Sequence, residues 1–394
     1  MKPSGIEWIG DIPDDWKVLK YKYAGRFEKG KLPKFINREN KGSPIIGASE
    51  MNGGLPILFT EDSDIPKCRK DDVLFLWDGA NAGLVSSGLD GILSSTVVKY
   101  VCTNSINIKY LFYLTKYYEK YFKSKVNGTT IPHMSYDFIS DCPLLEPPLR
   151  TQQRIADYLD EKCGEIDATI AKQKESIEKL KAYKQSLISE TVTKGLDKSA
   201  PLKPSGIKWL GEIPQNARII RLRFLSSIQT GDKDTVNRVE NGKYPFYVRS
   251  PIVERIDTFS FDGEAILMAG DGVGAGKVFH YVNGKFDYHQ RVYNIHNLKG
   301  VLGKFLYYYL RENFYKEIEQ SNAKSTVDSI RLPMLLDFPI IVYPYDLQKE
   351  MVSFLDKKVA EIDAIIIKKQ NIIQKLDAYK KSLIFEYVTG KRLV

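Results

Sequence analysis

Apolar residues recur in alternating steps of four and three over two stretches of the chain. The first stretch runs Leu159, Cys163, Ile166, Ile170, Gln173, Ile177, Leu180, Lys184, Leu187; the second runs Leu355, Val359, Ile362, Ile366, Lys369, Ile373, Leu376, Lys380, Leu383. A period of 3.5 residues held over about four heptads predicts a helix whose apolar seam packs on another helix. Both seams turn polar at the same two places, Gln173/Lys369 and Lys184/Lys380, and polar seam residues fix register and partner at some cost in stability. Pro147 and Pro148 punctuate the start of the first stretch, Pro344 the start of the second, and Gly195 closes the first, as prolines and glycines do at helix ends. The pattern therefore predicts long helices over 148–195 and 345–394, with a polar linker at 196–202. At a rise of about 1.5 Å per residue each would reach roughly 50–60 Å. An antiparallel pairing of the two would relate the halves of the chain by a pseudo-two-fold axis.

The pattern changes between these helices. Residues 1–147 and 203–344 carry short apolar runs punctuated by Gly, Pro and Asn, which read as strands and turns. SPIIGAS, DDVLFLWDG and STVVKYV in the first segment match YPFYVRS, EAILMAGDG and QRVYNIH in the second. An aromatic helix follows in each, Tyr110–Phe122 and Phe305–Ile318; tyrosines at helical spacing are read as core and rim. The expected fold class is α+β: two mixed α/β domains separated by two long helices that form an antiparallel coiled coil.

The halves are copies of one frame. KPSGIEWIGDIP at Lys2 returns as KPSGIKWLGEIP at Lys203, an offset of 201. The block beginning IADYLDEKCGEIDATI at Ile155 returns as MVSFLDKKVAEIDAII at Met351, an offset of 196, with about half of its positions identical. Between the shared blocks the halves diverge strongly. A period near 200 residues is too long for a solenoid and denotes a duplicated domain with its helix.

The formal charge is +9 and the pI about 9.0, a balance that favours an anionic partner, nucleic acid first. The four cysteines, Cys68, Cys102, Cys142 and Cys163, form no C-x-x-C pair, so zinc is not expected and reduced thiols are. Apolar runs such as Ala364–Ile367 are far below the roughly 20 residues of a membrane span, and the N-terminus lacks an apolar signal core; a cytoplasmic protein without membrane contact is expected. GDGVGAGK at 270–277 is not a phosphate loop, since Val278 stands where Ser or Thr belongs. It satisfies a loose G-x-G-x-x-A form, but its counterpart WDGANAG at 77–83 breaks that form, and a hairpin turn explains both. Pro13-Asp14 with Glu39-Asn40-Lys41 imitates a nuclease motif, yet the second copy has Pro214-Gln215. No amino-methyltransferase motif is present, and the four histidines, His133, His280, His289 and His296, form no triad pattern. No catalytic and no metal-ligating residue is expected.

The shared blocks resemble a known family. The opening P-S-G-I-x-W-[IL]-G-x-I-P, the helix start EPPLRTQQRIADYLDEK and the ending KLKAYKQSLISETVTKG, with its copy KLDAYKKSLIFEYVTG, are similar to the specificity subunits of type I restriction–modification systems. The resemblance spans the chain in the family's order of variable domain, helix, variable domain, helix. The second helix start, YPYDLQKEMVSFLDKK, departs from it by lacking a second Pro and the Ile. The resemblance implies that each variable domain is a target-recognition domain reading one half of an asymmetric, bipartite site in double-stranded DNA. It implies that the paired helices hold the two domains a fixed distance apart and that two adenine-N6 methyltransferase subunits and restriction/translocase subunits join them. S-adenosylmethionine, ATP and Mg²⁺ would belong to those partners, with no cofactor in this chain and no catalysis by it. Two other readings keep the architecture: the specificity subunit of another multi-subunit restriction class, and a coiled-coil adaptor without DNA readout. A single-chain catalytic DNA enzyme lacks its motifs.

Base readout needs side chains with paired donors or acceptors, whereas phosphate contacts need Lys, Arg and loop amides. Four loops recur at equivalent positions. The first offers Ser49, Glu50 and Asn52, matched by Arg249, Ser250 and Glu254. The Gly-rich turn offers Asp78 and Asn81, matched by Asp271 and Lys277. The next strand begins at Ser94, Ser95 and Thr96, matched by Tyr288, His289, Gln290 and Arg291. The last loop carries Asn127, Thr129, Thr130 and His133, matched by Asn322, Lys324, Ser325 and Thr326. Gln290-Arg291 is the strongest pair, since Gln suits adenine and Arg guanine.

Overall fold

The computed structural model describes residues 1–102, 105–126, 132–321 and 329–394, with only the backbone path of 317–321. The aromatic helices are Ile108–Ser124 and Gly303–Ser321, and the long helices are Leu149–Lys194 and Tyr345–Val388. The chain divides into two compact units, residues 1–173 with 370–394 and residues 174–369. Each division point falls inside a long helix. A unit therefore consists of one α/β domain, the first half of the helix that follows it, and the last part of the other helix.

In the first unit the repeated opening folds into a small hairpin, Lys2–Pro3 against Asp11–Ile12. Its Trp8 lands on the aromatic helix, edge-on to Tyr118 at 4.8 Å and beside Tyr117 and Tyr121. Lys17–Lys20 pairs antiparallel with Pro143–Glu146, Leu19 opposite Leu144, which ties the start of the domain to its end. Between them stand two four-stranded sheets. One runs Gly25–Lys29, Val97–Cys102, Val73–Leu76, Val85–Ser86, all antiparallel; the other runs Phe59–Thr60, Ser43–Ile46, Gly91–Leu93, Lys67–Cys68, with the middle pair parallel. The aromatic helix buries Tyr110, Tyr113, Tyr118 and Phe122 in the core, with Asn107 capping its N-terminus.

The same core holds Leu159, Cys163, Ile166 and Ile170 of one long helix and Leu383, Ile384, Tyr387 and Val388 of the other, with Ile373 and Leu376 packed against it. Tyr158 meets Tyr387 at 4.6 Å, and Asp167 takes the Lys380 ammonium at 2.5 Å. Partners advance along one helix as they retreat along the other, so these segments run antiparallel. The second helix then stops at Gly390, where φ is +68° and a Cβ would collide with Pro13; only glycine lets the helix end sit on the opening hairpin.

The second unit repeats the frame. Leu202–Pro204 pairs with Glu212–Pro214, Trp209 stacks on Phe338 at 6.0 Å, and Arg218–Arg221 pairs with Pro339–Val342. Its remaining strands form one six-stranded sheet in the order Ser227–Thr230, Val292–His296, Phe261–Ala269, Phe279–Tyr288, Tyr244–Tyr247, Glu254–Ile256. Phe279–Tyr288 is absent from the strands read off the sequence, because Gly284, Lys285 and Asp287 interrupt its apolar run. Ile177, Leu355, Ile362 and Ile366 are buried; Leu187 and Val359 pack on the core, and Leu180 is half-buried. Lys184 reaches Asp363 at 2.5 Å, and Gly195 lies against Met351, an antiparallel progression again. Lys184 and Lys380 of the seams are thus ion-paired, each within its own unit.

Candidate nucleic-acid interface

Backbone hydrogen bonds bring the expected loops together. In the first unit the Ser94 amide donates to the Ile46 carbonyl (3.0 Å), Trp77 to Thr96 (2.7 Å), Gly79 to Pro132 (2.9 Å) and Met134 to Trp77 (2.9 Å). The loops bearing Ser49 and Asn52, Asp78 and Asn81, Ser95 and Thr96, and His133 therefore form one cluster. In the second unit His289 donates to Tyr247 (2.9 Å), Gly270 to Arg291 (2.8 Å) and Ile330 to Gly270 (2.7 Å). Asp78 bridges His133 as Asp271 bridges Ser329. The same bonds recur at corresponding positions, so the frame that was copied includes the loop cluster. Thr129, Thr130, Lys324, Ser325 and Thr326, with Asn127 and Asn322, lie outside the described residues.

Both Gly-rich turns are hairpin turns. Val73–Leu76 returns through residues 77–84 to Val85–Ser86, and Phe261–Ala269 returns through 270–278 to Phe279–Tyr288. Neither precedes a helix, which removes the dinucleotide reading of GDGVGAGK.

Ser49, Asn52, Asn81 and His133 face solvent, and Ser95 and Thr96 are half-buried, the Thr96 hydroxyl 3.0 Å from that of Ser94. Asp78 takes the Lys29 ammonium at 3.0 Å. In the second unit Arg249, Lys277, Gln290 and Arg291 are exposed. Arg249 Nη1 is 3.1 Å from Asp271 Oδ1, Arg291 Nε is 3.7 Å from Asp271 Oδ2, and Gln290 donates to Asp234 at 2.8 Å. The Lys277 ammonium lies 4.1 Å over the Tyr315 ring. Ser250 closes a local turn by accepting from the Ile252 amide, and Glu254 faces Arg238 at 3.7 Å.

Three residues expected in the readout set are turned inward. Glu50 is buried and accepts from the Gly47 amide at 2.9 Å, closing a helix start. Tyr288 is buried, its hydroxyl accepting from Gln229. His289 is only 2 % exposed, and its Nδ1 accepts from the Arg291 amide at 2.9 Å. Burial, with Arg249 nearby, holds the His289 pKa below the usual imidazole value. It shapes the turn that presents Gln290 and Arg291. The alternation of a strand end put all three on a loop, and only the packing shows which way each points.

Other residues at the cluster were not legible as a site. The loop 31–42 carries Lys31, Lys34, Arg38 and Lys41 among exposed Leu32 and Phe35, and the Lys31 amide donates to Leu93 beside the cluster. Basic residues interleaved with apolar ones between Gly30 and Gly42 were the available signal.

Each α/β domain is clamped to its long helix by the same side chains. Gln152 is fully buried; its Oε1 accepts from the Asn107 amide (2.7 Å) and its Nε2 donates to the Ser105 and Pro147 carbonyls (3.1 and 2.8 Å). Gln348 does likewise with Leu302, Gly300 and Tyr343. Asp160 binds Lys109 (2.6 Å) and Tyr113 (2.8 Å); Asp356 binds Lys304 (2.6 Å) and Tyr308 (2.7 Å). Burial, and donation to a carboxylate, keep the Tyr113 and Tyr308 phenols protonated.

A groove of about 840 Å³ runs beside the aromatic helix of the first unit, lined by Phe112, Tyr117, Lys120, Cys163 and Ile384 among others. Of its carboxylates, Glu119 pairs with Lys116 and Lys123, Asp160 with Lys109 and Asp167 with Lys380. Cys163 stays a thiol, since burial pushes its pKa up to about 11. Among the described residues no three His, Cys, Asp or Glu converge as a metal site, and no helix is long and apolar enough to cross a membrane.

Comparison with known proteins agrees with this geometry. Residues 13–181 and 219–377 each match the family described as Type I restriction modification DNA specificity domain. The type I restriction enzyme MjaVIII specificity subunit of Methanocaldococcus jannaschii is 28% identical over 408 residues, covering 96% of this chain and 93% of its own length. The type I restriction enzyme EcoDI specificity subunit of Escherichia coli is 27% identical over 181 residues, 46% of this chain and 40% of that protein. A chain solved in work on complex assembly and conformational transition of the type I R-M system shares the fold, with a TM-score of 0.72 at 16% identity, covering 97% of this chain and all of that one. Two mixed α/β domains on one frame, each presenting the same loop cluster and each matched separately, place this chain in the type I restriction modification DNA specificity family.

Proposed function

We propose that the chain is the DNA specificity subunit of a type I restriction–modification complex and that the two loop clusters read the two halves of a bipartite site. The observation that carries this is the recurrence of one hydrogen-bonded loop frame bearing different side chains: Ser95 and Thr96 in one unit, Gln290 and Arg291 in the other. A shared frame with unlike contents is what reading two unlike half-sites requires. The long helices pair as an antiparallel coiled coil, a reading supported within each unit by the Asp167–Lys380 and Lys184–Asp363 pairs. Two methyltransferase subunits and the restriction subunits assemble on this scaffold, and S-adenosylmethionine, ATP and Mg²⁺ belong to them. The chain itself supplies readout and no catalytic group.

The test is a methylation map. The chain is co-expressed with its methyltransferase partner in a methylation-free host, and N6-methyladenine is located by single-molecule sequencing. The expected result is a split motif, two unlike halves around a fixed spacer with one modified adenine on each strand. A complex that assembles, binds S-adenosylmethionine and yet methylates nothing would overturn the proposal in favour of an adaptor without DNA readout.

A further inference from the structure

The geometry points to Asp271 as a positioning residue that holds two arginines, of which Arg291 reads guanine, so that the half-site read by the second unit contains a G·C pair under Arg291. This rests on the function proposed above and goes beyond it by naming the base.

A carboxylate on a DNA-facing surface needs a reason, because it repels phosphate. Asp271 has one. Its two oxygens each face a different arginine, Oδ1 towards Arg249 Nη1 at 3.1 Å and Oδ2 towards Arg291 Nε at 3.7 Å. Those arginines come from two different loops of the cluster. The aspartate is itself fixed: Gly270 donates to the Arg291 carbonyl at 2.8 Å, Ile330 donates to the Gly270 carbonyl at 2.7 Å, and Asp271 bridges Ser329. Its side chain is 23% exposed, whereas those of Arg249 and Arg291 are 45% and 64% exposed. The anion is set back and the cations project.

The donor count then decides the ligand. A guanidinium has five N–H groups. Engaging Arg291 through Nε leaves both terminal nitrogens, the paired donors that match guanine O6 and N7 in the major groove. Two arginines on one carboxylate carry a net charge of +1 between them, a weak arrangement for phosphate neutralisation and a strong one for orientation, since the carboxylate removes rotamer freedom from both side chains. The His289 Nδ1 fixes the Arg291 backbone by accepting its amide, and Gln290 is tied to Asp234, so the neighbouring reader is held as well. Among the described residues the first unit has no such clamp: Thr96 replaces Arg291, and Asp78 binds Lys29 instead.

The experiment compares methylation maps of the wild type, Arg291→Ala, Arg291→Lys, Arg249→Lys and Asp271→Asn, each in the methyltransferase complex. Arg291→Ala identifies the half-site that the second unit reads. Arg291→Lys keeps the charge and loses the paired donors, and is expected to relax one G·C position there, by roughly 5- to 150-fold in discrimination. Asp271→Asn is expected to relax that same position, and the position altered by Arg249→Lys, while the other half-site and the spacer stay unchanged. The proposal is overturned if the position altered by Arg291→Ala is not a G·C pair, if Arg291→Lys retains full discrimination, or if Asp271→Asn lowers methylation evenly with an unchanged motif. A wild-type complex that assembles and methylates nothing removes the underlying function, and this proposal with it. Loss confined to the variants separates the two failures.

Discussion

The two α/β domains follow the same path, yet one builds two four-stranded sheets and the other a single sheet of six strands. The difference lies in one hairpin. In the second unit Phe261–Ala269 and Phe279–Tyr288 pair without interruption, with Gly263 opposite Gly284, both at positive φ. A glycine pair lets two strands bend together and keep their ladder. In the first unit the same hairpin breaks on both strands, between Cys68 and Val73 and between Ser86 and Gly91. There Asp72 turns back to cap the Arg69 amide and Gly88 donates to the Lys70 carbonyl. The loops diverge as well. Residues 31–42 hold Lys31, Lys34, Arg38 and Lys41 against Glu39, whereas residues 232–243 balance Lys233, Arg238 and Lys243 with Asp232, Asp234 and Glu240. What differs is the surface that meets a ligand; the clamp to the long helix is the same to the hydrogen bond. Duplication preserved the mount and freed the reader.

The largest test of the shared mount is core truncation. Leu159 and Leu355 are both fully buried at matching positions, and Leu→Ala at either should cost about 2–5 kcal/mol. Hydrogen exchange resolved by peptide measures each loss, and a cost that differs widely between the two would mean that the units do not share one packing. Next come the buried glutamines. Gln152→Leu and Gln348→Leu each strand an amide and two carbonyls, and each should cost about 1–3 kcal/mol per buried group left unsatisfied. Equal effects sharpen the comparison; a neutral outcome at either breaks it.

The readers should respond unequally. Replacing Lys34 and Arg38 with Ala should flatten the slope of log Kobs against log salt by about 0.9 for each phosphate that is no longer neutralised. Arg238→Ala should leave the slope unchanged, because that guanidinium faces Glu254 at 3.7 Å. Binding isotherms of the assembled complex at several salt concentrations decide this, and equal changes would erase the electrostatic contrast. The smallest effect concerns acid. His289 has its pKa lowered by burial, so the unfolded chain takes up a proton more readily than the folded one. Its contribution to stability is complete above the usual imidazole pKa of about 6.5 and falls as pH drops through and below that value. Protonation removes the acceptor that holds the Arg291 amide, and that amide should lose exchange protection in acid. Ser94, in the corresponding place, should show no such response.

Much of this was legible before any fold was known. The long helices are near their expected limits, 149–194 and 345–388 against 148–195 and 345–394, because a heptad seam depends only on which positions are apolar. The aromatic helices and the matched strands follow for the same reason. The clamp was in plain sight as the repeated Gln152/Gln348 and Asp160/Asp356, but a repeated polar residue does not announce its partner, and the partners on the α/β domain lie 45–52 residues away in sequence. Within the candidate loops the inward directions of Glu50, Tyr288 and His289 were not legible.

The sequence by itself determined the duplicated frame, the two seams and the loops that could bear readers, because periodicity and repetition are properties of order along the chain. The tertiary structure alone decided that the compact units cut across the long helices, that one hairpin bends while its twin breaks, and that one aspartate holds arginines from two loops. Those facts depend on which distant groups meet, and that is settled by packing and hydrogen-bond geometry in space, which no local pattern encodes.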